Sequence, residues 1–124
     1  MVGATCRIQA KLPSCNDYTK ACRTNQFLGA KMKRNTQDAI GWFIKGLPRF
    51  ENPVTIDFIW IEQNAKRDLD NISFAKKFIL DALVENGVLI NDSPKYVVGF
   101  TDTFEKGKET EVIITIKEAE NDTV

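Results

Sequence analysis

Val54-Thr55-Ile56-Asp57-Phe58-Ile59-Trp60-Ile61 is the most strand-like stretch of the chain, and Arg67-Asp68-Leu69-Asp70-Asn71 follows it after the loop Glu62 to Lys66. The first stretch is rich in β-branched and aromatic residues, and Pro53 introduces it. Val54, Ile56, Phe58 and Trp60 fall on one face. Thr55, Asp57, Ile59 and Ile61 fall on the other, which is mixed, so both faces are expected to be at least partly covered. The second stretch opens a helical pattern. Ile72, Ala75, Ile79, Ala82 and Leu83 give one apolar face with Phe78 beside it, predicting a helix from about Asp70 to Asn86 that Gly87 stops. A strand therefore leads to a helix, with two aspartates at the junction.

Working outward, Thr5 to Leu12 reads as a first strand ended by the turn signal Pro13-Ser14. Asn16 to Arg34 is polar and basic and reads as a long loop anchored at Phe27-Leu28. Its Lys20, Arg23, Lys31, Lys33 and Arg34, with Tyr18, suit phosphate contact. Asn35 or Thr36 can cap a helix to about Lys45, with Ala39, Ile40, Phe43 and Ile44 as its buried stripe and Trp42 off its centre, where it can cover the sheet or a partner, with core packing favoured over base stacking. Gly46 and Pro48 end it. Beyond Gly87, Val88 to Ile90 is a short apolar return and Asn91-Asp92-Ser93-Pro94 a turn. Lys95 to Thr103 and Glu111 to Ile116 read as strands joined through Lys106-Gly107-Lys108, and residues 118–124 as a frayed acidic tail. The order β-α-β-α-β-β predicts one α+β domain over residues 1–124, with two helices packed on a small mixed sheet.

At 124 residues the chain suits one domain with a real core. Its three cysteines, Cys6, Cys15 and Cys22, are odd in number and no histidine is present, which argues against a disulfide framework, a structural zinc site and any His-based triad. No apolar run reaches the length of a bilayer span and no signal-peptide core is visible, so a cytoplasmic protein is the expectation. Zero net charge hides an asymmetry. Residues 1–50 carry nine Lys/Arg against two Asp/Glu, and residues 51–124 carry eight against fifteen. A basic half and an acidic half suit a polyanion bound beside a metal-holding acid cluster, or two halves that pair with each other.

Asp68 and Asp70, two residues apart, project to the same side in an extended or half-turn segment. Two such charges repel unless a cation neutralises them, and Mg²⁺ needs few protein carboxylates because it keeps several waters. Asp92 is a candidate third ligand, provided the segment after Gly87 doubles back along the helix. Around a continuous helix Lys77 lies roughly 20° from Asp70 and Lys76 about 120° away, so Lys77 is the better lysine for the acidic face. An Asp at a helix start is also favoured as a cap, and an isolated Asp-x-Asp before a helix is more often a cap than a metal site.

Arg67-Asp68-Leu69-Asp70-Asn71, followed by Asp81-Ala82-Leu83 and Asn91-Asp92-Ser93, resembles the RusA family of Holliday junction resolvases. Leu12-Pro13-Ser14-Cys15-Asn16-Asp17-Tyr18 is similar to that family's N-terminal Pro-Ser-x-Asn segment, and the resemblance spans roughly residues 8 to 117. It implies a homodimeric, Mg²⁺-dependent endonuclease, with Mn²⁺ as a substitute, that cuts four-way DNA junctions in recombination and repair. Such a protein would be cytoplasmic and bacterial or phage-encoded. Its essential carboxylates would be Asp68, Asp70 and Asp92. The family's lysine, one turn past the second aspartate, falls on Phe74, a departure; counting back from Asp81-Ala82-Leu83 places it at Lys77. Lys20, Arg23, Lys31, Lys33, Arg34, Arg67 and Lys76 would hold backbone phosphates. The alternatives are a branched-DNA-binding protein of the same fold without catalysis and a nuclease for another branched DNA.

Overall fold

A computed structural model describes residues 3–119. It is a single small α+β domain built from β1 (Gly3–Ile8), α1 (Cys15–Thr24), α2 (Gln26–Ile44), β2 (Val54–Glu62), α3 (Leu69–Ser73), α4 (Lys76–Glu85), β3 (Val97–Lys106) and β4 (Glu111–Glu118). The sheet order is β1-β4-β2-β3, with β2 parallel to β3 and the other pairs antiparallel. No helix among the described residues is long and apolar enough to cross a membrane.

β2 is a central strand, and its even-numbered residues build the core. Val54, Ile56, Phe58 and Trp60 are buried, as are Val112, Ile114 and Ile116 on the neighbouring β4. The Phe58 and Trp60 rings stack with centroids 5.4 Å apart. Phe78, Ile79, Ala82 and Leu83 of α4 and Ile40 and Ile44 of α2 complete this core. The opposite face, with Thr55, Asp57, Ile59 and Ile61, is only half-buried. There Asp57 pairs with Lys117 at 2.8 Å and accepts from Thr101 at 2.6 Å, contacts that hold its carboxyl below the usual range.

The polar stretch after Pro13 is helical, so the order is β-α-α-β-α-α-β-β rather than β-α-β-α-β-β, and four helical segments replace the expected two. α1 buries no residue fully, which is why apolar periodicity does not reveal it. Caps define it instead. Ser14 Oγ accepts from the Asp17 N–H at 3.1 Å while Asp17 Oδ2 accepts from the Ser14 N–H at 3.0 Å, a reciprocal capping box. The bond from the Ser14 N–H, above all, holds the Asp17 carboxyl below its usual range. The cap is therefore intact at neutral pH and weakens as pH falls through that lowered value. Asn25 then caps α2 by accepting from the Leu28 N–H at 2.8 Å, well before the expected start at Asn35. α2 shows Ala39 to solvent and leaves Trp42 68% exposed under the Lys45 ammonium, so neither belongs to the core.

β3 and β4 do not form a hairpin, because β2 lies between them. The connection crosses the end of β2, where the Gly107 N–H donates to the Glu62 carbonyl at 2.9 Å. A Cβ on Gly107 would stand 2.5 Å from Ile61 Cγ2, so any side chain at this crossing would displace Ile61. At the other end β4 runs through Glu118, and the Ala119 N–H donates to the Pro53 carbonyl at 2.8 Å, so Glu118 and Ala119 do not belong to a frayed tail. The rest of that expected tail, residues 120–124, lies outside the described residues.

Candidate active site

Asp68 and Asp70 sit past the C-terminal end of β2, where a salt bridge fixes the segment that carries them. Arg67 Nε and Nη2 donate to the two Glu62 carboxylate oxygens at 2.9 and 2.8 Å, and Nη1 donates to the Leu12 carbonyl at 3.2 Å. The Arg67 and Glu62 side chains are only 19% and 13% exposed. All three guanidinium nitrogens thus help tie the strand end, the first loop and the acid motif together.

Asp68 is the N-cap residue of α3 by backbone geometry, but its side chain makes no cap hydrogen bond. Asp70 Oδ1 accepts only from the adjacent Asn71 N–H at 3.0 Å. Both residues are exposed, and neither carboxylate is in an ion pair among the described residues. By contrast Asp17, Asp57, Asp81, Glu62, Glu85, Asp102 and Glu111 are bonded or paired. The helix start therefore keeps two neighbouring carboxylates available to a ligand.

Asp92 is also exposed, but it lies at the far end of the sheet. Val54 pairs with Val97, Phe50 bridges Leu89, and the Ser93 carbonyl accepts from the Tyr96 and Val97 N–H groups at 2.9 Å. These contacts hold the Asp92 turn beside the first residue of β2. Asp68 lies beyond its last residue. Nine strand residues separate the two ends by roughly 25 Å. The segment after Gly87 runs across to Phe50 and does not double back along α4. Among the described residues no group of three or more Cys, Asp or Glu is gathered to hold a metal ion. One chain by itself does not fit the three-aspartate set.

The expected single helix from Asp70 to Asn86 is two, α3 and α4, broken at Phe74-Ala75. The Ala75 and Lys77 N–H groups bond three residues back, to Ile72 and Phe74, so the 100° per residue count that favours Lys77 does not carry across the break. Lys77 is exposed. Lys76 turns toward the sheet: its ammonium is 2.6 Å from Asp102 Oδ2 and stands over the Phe58 and Phe100 rings at 5.2 and 4.7 Å. Lys76 is therefore committed to Asp102 rather than free for a phosphate. Asp102 also accepts from Trp60 Nε1 at 2.8 Å. Sequence reasoning misses this Lys76-Asp102-Trp60 chain. The available signal is Phe100-x-Asp102-x-Phe104, an acid on the apolar parity of a strand.

Phe74, at the family's lysine position, has a different task. Its ring packs against Tyr18 at 6.0 Å and Phe78 at 5.8 Å, anchoring α1 to α4. Phe74→Lys is therefore expected to destabilise the fold by about 1–3 kcal/mol through lost ring contacts. Urea unfolding measures this, and an unchanged midpoint would contradict the anchoring role.

The basic residues divide into two groups. Lys33 pairs with Asp81 at 3.6 Å, and Arg34 is bonded to Glu85 and Asp38, pinning α2 to α4 and holding the Glu85 carboxyl below its usual range. Lys20, Arg23 and Lys31 are exposed and make no ion pair among the described residues. The two charged halves therefore pair in part, and a basic remainder without ion pairs is left along α1 and α2. No family model matches the chain, and no curated protein matches it.

Proposed function

We propose that this chain is a metal-dependent endodeoxyribonuclease that resolves four-way DNA junctions, working as a homodimer. The observation that carries the reading is the pair Asp68 and Asp70: exposed and in no ion pair among the described residues, with Asp68 making no cap bond and Asp70 accepting only from the adjacent Asn71 N–H. Such a pair suits Mg²⁺, with Mn²⁺ as a substitute. Since one chain does not gather three ligands among its described residues, Asp92 would serve a site on a second copy. Lys20, Arg23 and Lys31 would bind backbone phosphates without reading sequence, and exposed Lys77 would supply a further ammonium.

A nicking assay on a synthetic four-way junction tests this, with Mg²⁺ and then with EDTA. Metal-dependent cleavage of the junction, in preference to a flap or a linear duplex, is the expected result. Tight binding without cleavage would replace the enzyme by a junction-binding protein, a reading that Phe74 in the lysine position favours. Cleavage of flaps in preference to junctions would change the substrate. For the phosphate contacts, Lys20→Ala should weaken binding to all junction sequences alike and reduce the salt slope of log K by about 1. A slope equal to wild type would remove Lys20 from the interface.

A further inference from the structure

Beside Asp68 the ends of β2 and β3 enclose a half-open cavity of about 330 Å³. Trp60, Leu69, Ile72 and Phe104 give it apolar lining, and Asn64, Glu105 and Lys106, with the paired Glu62 and Arg67, give it polar lining. Hydrogen bonds tie together the segments around it. The Glu62–Arg67 bridge closes one side, and the Gly107 N–H bond to Glu62 holds the β3–β4 crossing against the other. Gln63 Nε2 adds a bond to the Lys108 carbonyl at 2.8 Å. Leu69 is 55% exposed although it begins a helix beside an apolar hollow, so the core does not use it.

This volume is at the small end of ligand sites. A nucleobase has apolar faces and a polar edge of donors and acceptors, which matches apolar lining beside the Asn64 amide, the Glu105 carboxylate and the Lys106 ammonium. Asp68 lines the same cavity, so a base seated there brings its own backbone to the candidate carboxylates. Bases at a branch point are the least stacked in a junction and cost least to evert. Resting on the endonuclease reading above, we propose that this cavity receives one unstacked nucleobase of the strand to be cut. It thereby gives the site a preference for branch points over continuous duplex.

The probe is a four-way junction carrying a single 2-aminopurine, moved one nucleotide at a time across the branch point and bound to the protein in EDTA. Fluorescence should rise at one position in each cut strand. Ala65, in the exposed loop, also lines the cavity, and Ala65→Trp should fill it, abolish that rise, and lower cleavage at sub-saturating protein and junction affinity together by up to roughly tenfold, the equivalent of one lost base-stacking contact. Circular dichroism checks the fold of that variant, and Leu69→Ala, which removes one wall, should lower the fluorescence rise independently. Junction binding and cleavage with no localised rise, or with a rise that survives Ala65→Trp, would overturn the cavity proposal and leave the nuclease standing. Failure to bind the junction at all would overturn both.

Discussion

Asp70→Asn is expected to abolish junction cleavage, by more than about a hundredfold, and to leave junction affinity unchanged. Loss of groups that merely support a metal ligand costs roughly 10- to 100-fold in many sites, and Asp70 is proposed as a ligand itself. The substitution keeps size and the Oδ1 acceptor that meets the Asn71 N–H, so α3 should form as before. It removes only charge, at an exposed residue with no ion pair to lose among the described residues. Asp68→Asn should behave alike, since the Asp68 side chain makes no cap bond whose loss could weaken the helix. Gel-shift binding in EDTA and nicking in Mg²⁺ separate the two effects. Cleavage at the wild-type rate in Asp70→Asn would remove the residue from the site, and equal loss of binding and cleavage would make it a DNA contact.

Arg67→Ala should cost about 3 kcal/mol of stability and silence cleavage as well. Removing one partner of a largely buried pair leaves the other charge desolvated and unpaired, here Glu62 at 13% exposure. It also frees the Leu12 carbonyl and lets the Asp68 segment detach from the strand end. Arg67→Lys should rescue little, because an ammonium does not reproduce the two parallel bonds to Glu62 and the third to Leu12. Replacing Glu62 and Arg67 together by leucine should regain most of the stability without regaining cleavage, since the ion pair would be gone but nothing would aim the acid motif. Urea unfolding and nicking, measured on the same three variants, test this. If Arg67→Ala unfolds at the wild-type midpoint, the bridge does not hold the site. If the double leucine variant cleaves normally, the bridge does not orient it.

β2 is legible in the sequence because its pattern is local: alternating residues face the core whatever lies beside them. The placement of β4 against β2 is not, since strand order depends on pairing partners far apart in sequence. Only Gly107, which passes close to Ile61, marks the crossing. α1 is invisible to apolar periodicity because it docks by one half-buried side, Tyr18 on Phe74 and Phe78; Ser14-x-x-Asp17 is the signal that could reveal it. In the acid motif, spacing identifies two exposed carboxylates that are in no ion pair among the described residues. It does not locate Asp92, because the distance from Asp68 follows from the parallel pairing of β2 and β3. The choice between Lys76 and Lys77 rests on a continuous helix, and the break at Phe74-Ala75 removes that basis.

The separation of Asp92 from Asp68 and Asp70 makes the most direct test one of mixing. Asp70→Asn and Asp92→Asn are each purified, unfolded and refolded together, and assayed for junction nicking in Mg²⁺. If two copies share their carboxylates, each variant alone is inactive, while a mixed dimer has one site with both defects and one with none. Cleavage then returns on mixing, as nicks in one strand rather than paired cuts. If the mixture stays as inactive as each variant alone, the carboxylates are not shared between copies and the account fails at its centre.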